Sequence, residues 1–265
     1  MASPPVRVCD LPSGYTEWPA PAGLRHAIAC LWAQVTPDSG QDRTALVLPD
    51  ACSDLIWEQG RGAFVAGPDT GPVSTAMKAG TVVLGVRFRP SAGGPALGVP
   101  LSELRDQRVD LEDLRRPDAR RLPGTLDPDA AAIRVLDLAV ALVTDGGPDP
   151  AATRAAVLLA DPRTRAEDVA AEVGLSMRQL RRRCQAVVGY GPKTLQRVLR
   201  FRRFVARIDA GLPGGQAAHD LSALAADVGY ADQAHLTREC RALAGLTPAV
   251  LASRRRPEGG GSGRQ

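Results

Sequence analysis

The sequence predicts an α+β protein in which a strand-rich N-terminal domain precedes an all-helical C-terminal domain. Up to about residue 115, short apolar runs alternate with turn-forming Gly, Pro and Asp, which is typical of strands joined by tight turns. From about residue 129 onward, apolar residues recur every three or four positions, the spacing of amphipathic helices. The third observation is a motif of the helical half that occurs twice, 56 residues apart.

In the N-terminal domain, four apolar runs bounded by turn residues are predicted as strands. They are expected at residues 44–48, 54–58, 63–66 and 81–88. Helices are expected to interrupt this pattern at residues 23–33 and 94–104. A further helix at 129–143 has one apolar face, formed by Ile133, Leu136, Val140 and Val143. That face either packs on its own domain, which we favour, or pairs with a second copy of the chain.

The clearest break in the pattern is the Gly- and Pro-rich stretch at residues 144–150, where we place the domain boundary. The expected units are an N-terminal domain at 1–145, a helical domain at 150–256 and a tail at 257–265. The tail is too polar and Gly-rich to fold, so we expect it to be disordered. Helices of the second domain are expected at 151–160, 165–173, 176–187, 192–210, 221–228, 232–243 and 247–253.

The repeated motif reads as a helix-turn-helix unit: an apolar helix, a glycine turn, a capping residue and a second helix. Its copies lie at residues 169–184 and 224–240. Three landmark residues recur at the same offset, Cys184, Gly189 and Pro192 in the first copy and Cys240, Gly245 and Pro248 in the second. Paired units of this kind can place two helices in DNA major grooves, with the long helix from Pro192 spacing them. The predicted partner is therefore double-stranded DNA.

The second helix of the first copy is expected to be capped by Ser176, with Gln179 completing a capping box. Its outward face carries the expected base-reading residues Arg178, Arg181 and Arg182. Arginine suits this role because it donates two hydrogen bonds to N7 and O6 of guanine. The alternative is that these arginines touch only phosphate or solvent. Two neighbours at the side of the helix are expected to meet the DNA backbone, Arg183 and Gln185.

The second copy has a more polar and less charged outward face. Asp232 is the expected cap of its second helix. The residues expected to face DNA are Gln233, His235, Thr237, Arg238 and Arg241. Gln suits adenine, and Arg suits guanine or phosphate. Because the two helices present different side chains, we expect sequence-specific binding and not general coating of DNA.

Charge and composition agree with this interpretation. Residues 1–150 contain 14 Lys and Arg against 19 Asp and Glu, whereas residues 151–265 contain 19 against 10. Only the C-terminal half is therefore expected to meet a polyanion. The five cysteines form no CxxC pair, and their odd number without a secretory leader predicts reduced thiols in a cytoplasmic protein. We expect no catalytic residue, no metal, no cofactor and no membrane contact.

The C-terminal domain resembles the AraC/XylS family of bacterial transcription regulators over residues 150–256. The resemblance rests on residues 173–182, 195–204, 228–238 and 244–248, which include Val-Gly-Leu-Ser, Val-Gly-Tyr-Ala-Asp and Ala-Gly-Leu-Thr-Pro. It implies two helix-turn-helix units joined by one long helix, with RNA polymerase as a candidate partner. The family usually has Phe where this chain has Cys184 and Cys240, and we expect both thiols to be buried as small hydrophobic groups.

The N-terminal domain resembles the sensory domain of some actinobacterial members of that family. The pieces that carry this resemblance lie at residues 48–55, 66–68 and 85–90. It implies a cupin-like, strand-rich domain that binds a small-molecule effector or forms a homodimer. Asp50, Cys52 and Asp54 alternate, which favours a turn into a strand, with a pocket lining as the alternative.

The main hypothesis is thus a transcription regulator whose N-terminal domain controls DNA binding. The alternative is a DNA-localised enzyme or repair protein with catalysis in the N-terminal domain. An enzyme of that kind needs a cysteine cluster for zinc or a reactive-thiol motif, and the sequence has neither.

Overall fold

A computed structural model describes residues 7–38, 42–114, 122–210 and 221–255. The tail predicted at 257–265 lies outside these residues. The fold is α+β, as the sequence predicts, with a strand-rich N-terminal half and a helical C-terminal half. No helix of the described ranges is long and apolar enough to cross a membrane.

The N-terminal half contains eight strands among the described residues. They are β1 Gly14–Pro19, β2 Ile28–Val35, β3 Arg43–Val47, β4 Ser53–Glu58, β5 Gly62–Ala66, β6 Val73–Met77, β7 Val82–Phe88 and β8 Arg108–Asp110. Six of them form an antiparallel sheet in the order β1-β2-β7-β4-β5-β8, and β3 pairs with β6 as a separate two-stranded ribbon. The ribbon and one face of the sheet enclose a cavity, which is described below.

The opposite face of the sheet packs on a long helix. This helix, α2 (Pro128–Asp145), begins at Asp127, whose side chain accepts hydrogen bonds from the backbone N–H groups of Asp129 and Ala130. Leu136 and Val143 of its predicted apolar face are buried in a core that includes Leu55, Trp57, Leu84 and Val86 of the sheet. The favoured interpretation, in which this face packs on its own domain, is confirmed for these two residues.

Residues 23–33, predicted as a helix, are instead a short turn followed by strand β2. The prediction was wrong because β2 lies inside the sheet, hydrogen-bonded to β1 on one side and β7 on the other. Two ladders of hydrogen bonds outweigh the helical propensity of an Ala- and Leu-containing stretch. The second predicted helix, at 94–104, is also not continuous. Helix α1 (Gly93–Leu97) ends at Gly98, which has a φ of 70°, and a 3-10 turn follows at Leu101–Glu103.

The helices of the C-terminal half agree with the predicted ranges to within about two residues, the usual uncertainty of a helix end. They are α3 Pro150–Leu159, α4 Ala166–Glu172, α5 Met177–Val188, α6 Pro192–Asp209, α7 Leu221–Asp227, α8 Gln233–Ala244 and α9 Pro248–Arg255. Their shared core is centred on α6, which buries Leu195, Val198, Phe201, Phe204 and Ile208. The predicted long connecting helix is therefore the centre of this half.

Leu136→Glu is expected to destabilise the folded chain by about 3 kcal/mol or more, because it puts a charge into an apolar core without a partner. Urea unfolding of the full chain measures this change. Ala141→Glu is the matched control, since Ala141 is exposed on the same helix, and it should cost little. A folded Leu136→Glu variant of unchanged stability would show that this face does not pack on the sheet.

Candidate DNA interface and ligand cavity

The first helix-turn-helix unit consists of α4, a turn at Gly174 and α5. Gly174 has a φ of 68°, a conformation that glycine adopts without strain. Ser176 caps α5 as predicted: Gln179 N donates to Ser176 Oγ at 3.2 Å, and Ser176 N donates to Gln179 Oε1 at 2.8 Å. Leu180 and Cys184 are fully buried. These caps and contacts fix the direction of α5 and leave its other face in solvent.

The second unit has the same construction from α7, a turn at Gly229 and α8. Gly229 has a φ of 89°, and Asp232 caps α8 by accepting the backbone N–H of His235 at 2.6 Å. Leu236 and Cys240 occupy the inward positions and are fully buried. The two sequence copies therefore fold into equivalent structures.

Three arginines of α6 bind other helices of the same domain. Arg197 Nε lies 2.6 Å from Glu239 Oε2 of α8, and Arg207 Nη2 lies 2.7 Å from Asp227 Oδ2 of α7. Arg203 Nη2 donates to the carbonyl oxygen of Ala160 at 2.6 Å, at the end of α3. These three positive charges have structural partners, so they add little to a surface for an external anion.

The arginines of α5 are different. Arg178, Arg181 and Arg182 are exposed and have no ion pair or side-chain hydrogen bond within the described ranges. Arg183 is also exposed, but its Nη1 lies 3.2 Å from Oδ1 of Asp149, the cap of α3. Gln185 is half-buried. The three residues predicted to read bases are thus the ones that the fold leaves free.

On α8, Arg238 and Arg241 are exposed and have no charged partner among the residues described. The other three predicted residues make local contacts. Gln233 Oε1 accepts from Ser222 at 3.1 Å, and Thr237 Oγ1 donates to the Gln233 carbonyl at 2.8 Å. His235 is half-buried, with its ring edge-on to Tyr230 and its Nδ1 facing the Ala231 N–H at 3.4 Å. These bonds have different origins: Thr237 bonds within α8, whereas the partners of Gln233 and His235 lie on α7 and in the turn before α8.

A cavity of about 730 Å³ lies between the six-stranded sheet, the β3–β6 ribbon and helix α6. Its apolar wall comes from both sheets and includes Val47, Ile56, Phe64, Val73 and Met77. The C-terminal half contributes Arg202 and Val205 from α6 and Arg255 from α9. The volume is in the range of sites that hold small organic molecules in proteins.

One end of the cavity is polar and centred on Arg87 of β7. Its guanidinium contacts Asp54 at 3.2 Å, Asp50 at 3.4 Å and Glu17 at 3.1 Å. Trp32 Nε1 also donates to Asp54 Oδ1, at 2.7 Å. The indole reaches this position by lying across Gly85, where a Cβ atom would be 2.1 Å from the ring. Any side chain at position 85 would therefore displace Trp32 from the cavity floor.

Burial raises the pKa of Asp54 to about 6, and the charge of Asp50 adds to this effect, while Arg87 opposes it. One guanidinium is thus shared among three carboxylates at this end of the cavity. Both interpretations of the alternating Asp50, Cys52 and Asp54 are realised. Asp50 forms a turn by accepting the Cys52 N–H at 2.9 Å, and all three residues line the cavity.

The described residues include no group of three or more His, Cys, Asp or Glu side chains that could hold a metal ion. Cys184 and Cys240 are both fully buried, as expected for small hydrophobic side chains. Burial raises the pKa of Cys184 to about 11 and that of Cys240 to about 12. Neither thiol has the exposure or the low pKa of a redox-active cysteine.

Two capped helices on one connecting helix, each with exposed arginines, define a helix-turn-helix DNA-binding protein. Residues 169–254 match a family described as a helix-turn-helix domain. This C-terminal segment is a helix-turn-helix domain of the AraC type. Residues 16–110 match a family described as a domain of unknown function, DUF6597.

Solved structures of ToxT from Vibrio cholerae are similar to the chain at low identity. One, from strain O395, is 10% identical with a TM-score of 0.42, over 80% of this chain and 96% of that chain. A second is 10% identical with a TM-score of 0.45, over 80% and 97%. A third, bound to an unsaturated fatty acid, is 10% identical with a TM-score of 0.39, over 80% and 94%. A search of curated protein sequences finds no match.

Cys184 and Cys240 are expected not to react with a thiol reagent at about pH 8 while the chain is folded, because a thiolate is the reactive form. Counting reactive thiols before and after denaturation measures this. The Cys184→Ala/Cys240→Ala variant is the control: it should react like the original chain when folded and show fewer thiols when unfolded. Rapid labelling of either residue in the folded chain would contradict this prediction and would indicate a reactive thiol.

Proposed function

We propose that the chain is a sequence-specific transcription regulator that places α5 and α8 in the major groove, under the control of a small molecule in the N-terminal cavity. The observation that carries this proposal is that some arginines of the helical half have partners within the fold and others do not. Three arginines of α6 bind other helices, whereas Arg178, Arg181 and Arg182 of α5 and Arg238 and Arg241 of α8 are exposed and unpaired in the described structure. Unpaired guanidinium groups on two equivalent helices suit contacts to bases and phosphates.

The proposed contacts differ in kind. Arg178, Arg181 and Arg182 are assigned to base edges, because they lie on the face of α5 opposite its buried residues. Arg183 and Gln185 are assigned to the DNA backbone, and Arg183 would share its charge with Asp149. On α8, Arg238 and Arg241 are the first candidates. Gln233, His235 and Thr237 would contact DNA through side-chain atoms that the local bonds described above do not use.

Arg181→Ala or Arg182→Ala is expected to reduce affinity for the preferred duplex by about 1–3 kcal/mol and to relax base preference at one position. Selection of bound duplexes from a random library, followed by titration, measures both effects. Arg43→Ala is the control, because it removes the same charge from the exposed ribbon of the other half. Equal losses on preferred and random DNA would show that these arginines contact only phosphate.

The cavity is the proposed effector site. Three of its arginines have carboxylate partners: Arg61 pairs with Asp110, Arg108 with Asp69 and Arg255 with Asp209. This leaves two arginines facing four carboxylates, Arg87 and Arg202 against Glu17, Asp50, Asp54 and Glu58. We therefore expect a ligand with an apolar body and a polar end that donates hydrogen bonds, such as hydroxyl or ammonium groups.

Ala45→Trp is expected to abolish ligand binding, because Ala45 lines the cavity from the ribbon and an indole would fill part of it. A thermal-shift screen of metabolites identifies ligands, since saturation at about 100 times Kd stabilises a protein by about 2.7 kcal/mol. Thr44→Trp is the control, because Thr44 is exposed on the same strand and does not line the cavity. A ligand that binds both variants alike would place the effector elsewhere.

The alternative of catalysis in the N-terminal domain has one observation in its favour. The raised pKa of Asp54, about 6, would suit a general acid. Its Oδ1 atom, however, accepts from both Trp32 and Arg87, which hold the carboxylate against the sheet. Chemical analysis of a ligand after incubation with the chain decides between the two functions, because an enzyme would convert the ligand and a regulator would return it unchanged. A second copy of the chain and RNA polymerase remain proposed partners.

A further inference from the structure

We propose that the loop between β5 and β6 sets the orientation of the second helix-turn-helix unit relative to the first, and thereby the spacing of the two DNA half-sites. The loop comprises residues 67–72, Gly-Pro-Asp-Thr-Gly-Pro, and is called the Gly-Pro loop below. The effect on DNA rests on the proposed function, in which α5 and α8 both enter the major groove. The effect on orientation does not depend on it.

The Gly-Pro loop contacts the two units at equivalent positions. Pro68 packs on Gly189, where a Cβ atom would lie 2.4 Å from the proline Cγ. Pro72 lies beside Gly245, where a Cβ atom would lie 3.6 Å from the proline Cγ. Gly189 and Gly245 are the residues that end α5 and α8, and both have positive φ, 90° and 68°. One loop with two Gly-Pro pairs therefore contacts the same point of both recognition helices.

Strong contacts hold the Gly-Pro loop in place. Asp69, whose side chain is only 7% exposed, forms two hydrogen bonds with Arg108, at 2.9 and 2.7 Å. Thr70 donates its backbone N–H and its hydroxyl to Asp106, at 2.7 and 3.0 Å. Gly67 approaches Leu104 so closely that a Cβ atom would lie 1.7 Å from its carbonyl oxygen. The two proline rings add backbone stiffness, so the loop is a rigid contact.

The first unit has further contacts with the N-terminal half. Gly94 of α1 meets the end of α5, where a Cβ atom would lie 2.7 Å from the Ala186 carbonyl oxygen. The carbonyl of Leu101 lies against Gly189 as well. The first unit is thus fixed on three segments, α1, the 3-10 turn and the Gly-Pro loop. Gly71 and Pro72 extend the same rigid segment to α8, with Gly71 near the Ala242 carbonyl.

DNA makes this orientation matter. Two recognition helices on one face of a duplex must enter grooves about one helical turn, or roughly 34–36 Å, apart. Helix α6 has 18 residues and sets the separation of the units, about 27 Å along its axis. Helix α6 and the shared core hold the second unit from one side. The Gly-Pro loop adds a contact away from that axis, which fixes the tilt.

The orientation is measured directly by the distance between spin labels at Val157→Cys and Val250→Cys in the full chain. Both valines are exposed, at 62% and 42%, and they lie on α3 beside the first unit and on α9 of the second. We expect one narrow distance distribution, which becomes broader in Pro68→Gly/Pro72→Gly. Pro37→Gly, in another loop of the same half, is the control and should leave the distribution narrow. An unchanged width in the double variant would overturn the proposal and assign the orientation to α6 alone.

Pro72→Gly alone provides a milder test, because it leaves the contact of Pro68 with the first unit intact. It should broaden the distribution as the double variant does, with circular dichroism showing that the helices are retained. A broadened double variant with an unaffected Pro72→Gly would also overturn the proposal, since the effect would then come from the first unit.

The effect on half-site spacing is tested with the duplex that the full chain selects from a random library. One base pair is inserted between the two half-sites of this duplex. The insertion rotates one half-site by about 34°. We expect it to reduce the affinity of the original chain for the duplex by about tenfold. For the Pro68→Gly/Pro72→Gly variant, the insertion should reduce the affinity by about threefold or less, and Pro37→Gly should behave like the original chain. If the insertion reduces the affinity equally for the original chain and both variants, the proposed effect on half-site spacing is overturned. Failure to select any duplex would instead contradict the proposed function, while the label distances would still test the loop.

Discussion

Both helix-turn-helix units depend on the packing of α6. One face of this helix buries Phe201, Phe204 and Leu195 in the core shared by the two units. Its polar face carries the ion pairs to α7 and α8 and the hydrogen bond to the end of α3. A single helix therefore supplies apolar contact to both units and, at the same time, electrostatic partners for three neighbours. The outer faces of α5 and α8 remain exposed to solvent because their inward faces pack in the core centred on α6.

The same residue type performs two tasks in this domain, and its position on a helix decides which. An arginine opposite a carboxylate of a packed helix is neutralised within the fold, whereas one on the outer face of a capped helix keeps its full charge. Net charge of the segment does not distinguish these cases. Arg183 lies between them, since it is exposed and also paired with Asp149 at the start of α3. Contact with phosphate there would compete with the cap of the neighbouring helix.

Local signals explain which parts of the structure could be predicted from the sequence. The cap at Ser176, the glycine turns and the helices of the C-terminal half depend on residues within a few positions of one another, and these predictions are confirmed. Strand β2 was predicted as a helix because its pairing partners, β1 and β7, come from distant parts of the chain. The cavity requires both sheets and α6, and the contact of Pro68 with Gly189 joins residues far apart in sequence. Neither has a local signal.

The Gly-Pro loop borders both candidate sites, which gives a physical route between them. Gly67 and Asp69 line the cavity, together with Arg108, the partner of Asp69. On its other side, the loop contacts the ends of α5 and α8 through its prolines. A ligand that competes for Arg108 would loosen Asp69 and with it the contact to both helices, whereas one that leaves this ion pair intact would stabilise the loop. A ligand affects DNA binding only through such a difference in affinity between two states of the protein. The Asp69–Arg108 pair thus joins the cavity wall to the loop that lies beside the ends of both recognition helices.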